Sequence, residues 1–190
     1  MQSTIHDIDF IAVDAGPGAF TSLRVLLSTV NGLALAANKP VISCDGIALV
    51  GQCLAAKNND SPASEPGPSN WIPGQAREMS ALVLFNAYNN ELYYHHPYSN
   101  ETGYAPLDDI VAMIKTLPQP VVLAGQGVAI YEEQLRAAGV DLSCWDTELM
   151  YPPIKALAHD ALLQWEKDEV KVFEAKPLHL KEQQFKKLSR

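Results

Sequence analysis

The sequence Asp14-Ala-Gly-Pro-Gly-Ala-Phe-Thr-Ser-Leu-Arg24 decides the fold, because it directly follows the apolar run Ile8–Val13. An apolar run of this length that ends at a glycine turn predicts a buried strand. Apolar residues recur with a helical period after the turn, so we expect the strand to lead straight into a helix. Such a junction directs backbone N–H groups and the positive end of the helix to one side of the sheet. The chain therefore has its first candidate site here.

The helix is predicted over Phe20–Ala37, and the sequence Asn38-Lys39-Pro40 ends it. Its apolar face comprises Phe20, Leu23, Leu27, Val30 and Ala34, and Leu26 and Leu33 widen that face. Val25 and Leu35 lie away from this main stripe. Apolar residues on more than one side of a helix favour a surface that binds a partner.

The rest of the chain alternates between strand and helix patterns, which predicts an α/β fold with a mixed sheet. Further strands are expected at 41–44, 80–87, 91–96, 121–124, 142–144 and 178–180, with helices at 46–56, 106–117, 125–138 and 152–168. Residues 58–78 have the composition of a long surface loop. This loop would separate an N-terminal piece, 1–57, from a C-terminal piece, 79–190.

The composition narrows the class of protein. The chain has 190 residues, 47% of them hydrophobic, and a net charge of −8, so it can bury a core but is a poor candidate for wrapping nucleic acid. Basic residues collect in 176–190, which is either a solvated terminus or a segment that touches RNA. The sequence predicts a cytoplasmic protein with reduced thiols. Its three cysteines form no C-x-x-C pair, and it shows neither a secretory signal nor an apolar run of membrane length.

No group of residues combines a nucleophile, a base and an orienting partner, so we expect no stand-alone catalysis. His95 and His96 are adjacent on a predicted strand and would point to opposite faces, which excludes a shared metal ion. Cys44 follows a strand and is expected to be a buried structural thiol. The sequence therefore predicts neither a catalytic residue nor a metal site.

The glycine turn has two interpretations. It lacks the lysine and hydroxyl end of a Walker A loop, it is not G-x-G-x-x-G, and Pro17 has no N–H to offer an anion. A tight turn between strand and helix is the first interpretation. The second is a phosphate contact through Gly16, Gly18 and Thr21.

Several motifs, taken in order, resemble the TsaB family, the non-catalytic partner subunits of the bacterial machinery for tRNA threonylcarbamoyladenosine. The specific motif is Gly-Pro-Gly-Ser-Phe-Thr-Gly-Leu-Arg, which corresponds here to the sequence from Gly16 to Arg24 with Ala19 in place of the serine and Ser22 in place of the third glycine. Weaker similarities are 32–34, 40–42, a hairpin motif at 86–93 and a closing segment at 177–181. The family normally opens with a strand hairpin and a helix before the segment found at Asp7, so we expect either a truncated or divergent homologue, or a missing element that is supplied from elsewhere.

The resemblance implies an actin-like (ASKHA) two-lobe fold with an incomplete first lobe at 1–57 and a second lobe at 79–190. It also implies that the helix after the glycine turn binds TsaD, the catalytic subunit, or a second copy of the chain. The expected interface residues are Phe20, Leu23, Arg24, Leu27, Val30 and Asn31.

The function implied is to hold TsaD active while it transfers threonylcarbamoyl to adenosine 37 of tRNA. A TsaE-type ATPase is expected in the same complex, tRNA is contacted only indirectly, and no membrane is involved. The chain alone would bind no cofactor, and ATP or ADP would bind only at an interface shared with TsaD. Three alternatives stay open: a degenerate actin-like ATPase, a peptidase-like enzyme, or a homodimeric pseudo-homologue outside the pathway.

Overall fold

Two β-sheets organise the described part of the chain, which in this computed structural model is residues 4–60, 80–167, 172–178 and 180. The strands are β1 Ile11–Asp14, β2 Val41–Cys44, β3 Ser80–Tyr88, β4 Glu91–His96, β5 Glu101–Pro106 and β6 Val121–Ala124. The helices are α1 Phe20–Ala37, α2 Gly46–Asp60, α3 Leu107–Thr116, α4 Gln126–Ile130, α5 Glu132–Ala137 and α6 Ile154–Glu166. A single 3₁₀ turn covers Ile5–Asp7.

The first sheet consists of β1 and β2, which pair in parallel with Ile11 opposite Val41 and Asp14 opposite Cys44. Because side chains alternate along a strand, each face of this sheet carries its own cluster. On one face α1 covers Val13 and Val41. On the other, α6 contributes the fully buried Ala161 against Ile42. The sheet is therefore enclosed between two helices.

The second sheet has the strand order β5-β4-β3-β6, in which β6 is parallel to β3 and the other neighbours are antiparallel. Asn89 and Asn90 form the turn between β3 and β4 with φ angles of 56° and 61°, as the predicted hairpin requires. Helices α3, α4 and α5 cover one face of the sheet and α2 covers the other.

Helix α2 contacts both sheets. Ile47, Val50 and Leu54 are at most 1% exposed and pack with Val83 and Phe85 of the second sheet. Leu49, on another side of the same helix, packs in the cluster of the first sheet. Both sheets therefore have side chains of α2 in their hydrophobic clusters.

Several sequence predictions are confirmed, and others are wrong for identifiable reasons. The helix at Phe20–Ala37 and the strands at 41–44, 91–96 and 121–124 have the predicted bounds. Strand β5 was missed because its sequence contains a glycine and a proline; Gly103 is needed where the Tyr94 ring packs against the backbone. Residues 142–144 form no strand and precede a single bridge at Trp145, and the helix predicted at 125–138 is divided into α4 and α5.

The C-terminal strand predicted at 178–180 is replaced by an irregular segment at 172–178, which bridges β2 through Val172 and Val41. Residue 179 and most of the predicted loop at 58–78 lie outside the described residues. The proposed lobe boundaries therefore stay a prediction.

The prediction that no apolar run reaches membrane length needs a correction. Among the described residues, α1 is long and apolar enough to cross a membrane by length and composition alone, and 28% of it is buried inside the chain. The polar residues along α1 made the run look interrupted in the sequence, although Arg24 is its only charged residue.

Candidate partner interface at helix α1

Half of the interface predicted on α1 belongs to the core instead. Leu23, Leu27 and Val30 are 7%, 3% and 9% exposed. They pack against β1 and against Ala175 of the C-terminal segment. The helical period identified this stripe correctly, but its own sheet buries it. The prediction that these three side chains contact a partner is therefore corrected.

The other three predicted interface residues have different roles. The Arg24 guanidinium lies 4.0 Å from the centre of the Phe20 ring, which is a cation–π contact at the surface. The Asn31 amide forms two hydrogen bonds with the backbone of Ala175: Nδ2 donates to the carbonyl at 3.0 Å, and Oδ1 accepts from the N–H at 2.8 Å. Asn31 thus holds the C-terminal segment against α1 within the chain.

The apolar residues outside the core stripe remain uncovered. We call the residues Val25, Leu26, Leu33 and Leu35 the exposed face of α1; they are 63%, 43%, 48% and 79% exposed. Gly32 lies among them, and no atom lies within 4 Å of the place where its Cβ would stand. The sequence signal for this face was the pair Val25 and Leu35. Leu26 and Leu33 were expected to widen the buried side of α1, but both are exposed.

Gly16, Gly18 and Thr21, the three residues of the predicted phosphate contact, differ in their surroundings. Gly16 is buried with φ +107°, and its N–H donates to Asp14 Oδ1 at 2.8 Å. Gly18 has open space around it, and Thr21 is exposed. Helix α1 begins after Ala19 with no side-chain cap and no acidic residue in its first turn. The first interpretation of the turn, a tight structural connection, fits the hydrogen bond that Gly16 makes.

Acidic groups collect where β1 and β2 end. Burial raises the pKa of Asp14, and the nearby Asp45 carboxylate raises it further, although the Gly16 N–H acts in the opposite direction. Burial also raises the pKa of Asp45, which accepts the Ala48 N–H at 3.1 Å at the start of α2. The pKa of the Cys44 thiol rises to about 12 through burial and through Asp160. A thiol with that pKa is protonated at neutral pH and is a poor nucleophile.

The histidines do not complete a catalytic group. His95 is 2% exposed, its Nδ1 lies 2.7 Å from Thr102 Oγ1, and burial lowers its pKa. His96 points to the other side of β4 and packs edge-on against Tyr94. Within the described ranges, no group of three His, Cys, Asp or Glu side chains is arranged to hold a metal ion. Cys44 has carboxylates, not an imidazole, as the ionisable neighbours that shift its pKa.

Comparisons with known proteins give a family match over part of the chain and solved structures of similar fold. The family model described as TsaD, tRNA N6-adenosine threonylcarbamoyltransferase, matches residues 1–64. The structure described as YeaZ from Pseudomonas aeruginosa is 23% identical with a TM-score of 0.59, and the match covers 93% of this chain and 77% of that one. No curated protein sequence matches significantly.

A second solved structure is described as an uncharacterized protein with similarity to peptidase YEAZ, also from Pseudomonas aeruginosa. It is 21% identical with a TM-score of 0.60, and the match covers 94% of this chain and 76% of that one. At these identities the two structures establish the fold, so the predicted actin-like α/β class is confirmed. The resemblance carried by the Gly-Pro-Gly motif agrees with these findings: the chain shares its fold with YeaZ, and residues 1–64, which contain that motif, match the TsaD family model.

Proposed function

We propose that the chain is a non-catalytic partner subunit that binds and activates a TsaD-type catalytic subunit during threonylcarbamoyl transfer to adenosine 37 of tRNA. The comparisons support a TsaB-like role in tRNA modification at the coarse level. The observation that carries the finer proposal is the exposed face of α1, where Val25 and Leu35 are 63% and 79% exposed. Apolar side chains grouped in this way on a helix are typical of an interaction site.

The charge of this surface also favours protein contact. Arg24 is the only charged residue in α1, whereas the chain as a whole carries a net charge of −8. An uncharged helix face loses little hydration on binding, so the burial of its apolar area contributes directly to association. In this proposal Arg24 lies beside the contact and pairs with an acidic group of the partner. A TsaE-type ATPase and any ATP or ADP bind at surfaces completed by TsaD, tRNA is contacted only indirectly, and the complex is cytoplasmic.

The chemistry of the described residues argues against the enzyme alternatives. A peptidase of the cysteine type needs a thiolate beside a base, but burial and the nearby Asp160 carboxylate raise the pKa of Cys44 to about 12. His95 is buried against Thr102 and cannot reach a substrate. The contribution of the chain is thus positional, and the reacting groups belong to TsaD.

The test is complex formation with a TsaD-type subunit, measured by co-elution at micromolar concentration. Val25→Asp and Leu35→Asp place a charge on the exposed face without touching the core, and we expect both to abolish co-elution. Ile130→Asp is the matched control, because Ile130 is also an exposed apolar residue, 52% exposed, but lies on α4. Leu27→Asp is unsuitable, since Leu27 is a core residue.

Two results would contradict the proposal: no complex with the unmodified chain, or a complex that survives both substitutions on α1. Sedimentation of the chain alone addresses the homodimer alternative. A dimer that Val25→Asp dissociates, together with no binding to TsaD, would favour a homodimer outside the pathway.

A further inference from the structure

The carboxylate of Asp14 lies at the carboxyl end of the first sheet, between the glycine turn and helix α2. Asp14 is the last residue of β1, and its Oδ1 accepts the N–H of Gly16 at 2.8 Å. The same carboxylate lies against Gly46 at the start of α2, so closely that a Cβ on Gly46 would collide with both of its oxygens. The side chain therefore fills the space between the glycine turn and the first residue of α2.

Asp45 places a second carboxylate at the same edge. It follows β2 directly, and its Oδ1 accepts the N–H of Ala48 at 3.1 Å, which caps α2. In parallel α/β sheets the carboxyl ends of the strands and the helix N-termini beyond them are the usual positions for phosphate groups. In this chain the N–H groups of Gly16 and Ala48 at that edge are bonded to the chain's own acids.

The actin-like fold raises the expectation of a bound nucleotide, and these residues do not fit its phosphates. A phosphate placed on the Gly16 N–H would stand within hydrogen-bonding distance of the Asp14 carboxylate, and two anions repel strongly in a buried setting. Pro17 supplies no N–H. The carbonyl oxygen of Leu178 lies 3.6 Å from the Cβ position of Gly16, so the C-terminal segment restricts access as well.

We propose that Asp14 is an internal substitute for a ligand phosphate, so that the turn Gly16–Gly18 of this chain is closed to nucleotides. The turn and α2 are held together by the chain's own carboxylate, and the rigid junction needs no ligand to form. This inference goes beyond the proposed function and does not depend on it, because the chain alone is sufficient to test it.

The experiment follows the backbone amides of the glycines by NMR in the isolated chain. The chain has 11 glycines, so a sample labelled with ¹⁵N only in glycine gives a short spectrum, and Asp45-Gly46 is its single Asp-Gly pair. The probes are inorganic phosphate and Mg-ATP at millimolar concentration. We expect the Gly16 and Gly46 signals to stay in place throughout both titrations. A saturable shift of either signal in the unmodified chain would overturn the inference.

Variants of Asp14 test the hydrogen bond itself. In Asp14→Ala the Gly16 amide loses its acceptor, so its proton resonance should move upfield and exchange faster with solvent; Asp14→Asn keeps the Oδ1 acceptor and should preserve most of the shift. Asp9→Ala, an exposed acid nearby in sequence, is the control and should leave Gly16 unchanged. An unaltered Gly16 amide in a folded Asp14→Ala chain would contradict the inference. If Asp14→Ala does not fold, the phosphate titration of the unmodified chain still tests the inference, because a saturable shift of Gly16 or Gly46 there would overturn it.

Discussion

Replacing Asn31 by alanine should detach the C-terminal segment from α1. The substitution removes two hydrogen bonds to Ala175, at 2.8 and 3.0 Å, each with a net value of about 1 kcal/mol. Ala175 is 3% exposed, so its N–H and carbonyl would be left without partners inside the protein, at a cost of about 1–3 kcal/mol each. These two unpaired groups should therefore lower the free energy of unfolding by about 2–6 kcal/mol, unless the segment moves away and becomes hydrated.

Urea unfolding measures the loss of stability, and hydrogen exchange of the Ala175 amide shows where it arises. Asn31→Asp separates the two bonds: its carboxylate still accepts the Ala175 N–H, but its second oxygen faces the Ala175 carbonyl and repels it, so at pH 7 this variant should also be less stable than the unmodified chain. Ser28→Ala, an exposed position on the same helix, is the control and should change stability by less than about 0.5 kcal/mol. An Asn31→Ala chain as stable as the control, with unchanged protection at Ala175, would refute the reasoning.

Three further predictions concern Asp14, Gly51 and Gly32. Burial raises the pKa of Asp14 in the folded chain, so its contribution to stability is present at low pH and is lost as the pH rises through the folded-state pKa. Asp14→Asn should therefore be more stable than the unmodified chain at pH 7, and the difference should shrink towards about pH 4 in urea titrations; a constant difference would exclude the charge as its cause. Gly51→Ala should destabilise by about 1–3 kcal/mol, because the new Cβ would stand 2.5 Å from His95 Cδ2. Gly32→Ala, in open space on α1, should stabilise the isolated chain by about 0.5–1 kcal/mol, and thermal unfolding of both variants should show opposite signs.

Local sequence patterns predicted the elements whose signals are local. The bounds of α1 followed from the apolar period and from Asn38, which adopts a left-handed conformation at the end of the helix. The Asn89-Asn90 turn likewise followed from residues that tolerate positive φ. Strand β5 was missed because its pairing with β4 and the packing of Tyr94 on Gly103, not its composition, make it a strand.

The candidate site was predictable only in part, for a related reason. A helical period separates a buried stripe from other faces, but it does not say which apolar residues meet the protein's own sheet. Leu23 and Leu27 were therefore assigned to a partner, although β1 covers them. The role of Asn31 depends on Ala175, which is 144 residues away in sequence, and no local pattern connects the two.

The position of α2 has a mechanical consequence. Ile47, Val50 and Leu54 are almost fully enclosed by the second sheet, while Leu49 is anchored on the first. Pulling these three side chains into water would cost about 5–9 kcal/mol, which is comparable to the entire stability of a typical domain. Detaching α2 from the second sheet would therefore cost nearly as much as denaturation, so the two behave as one rigid unit. Bending between the two sheets would have to take place on the other side of α2, where Leu49 meets the first sheet.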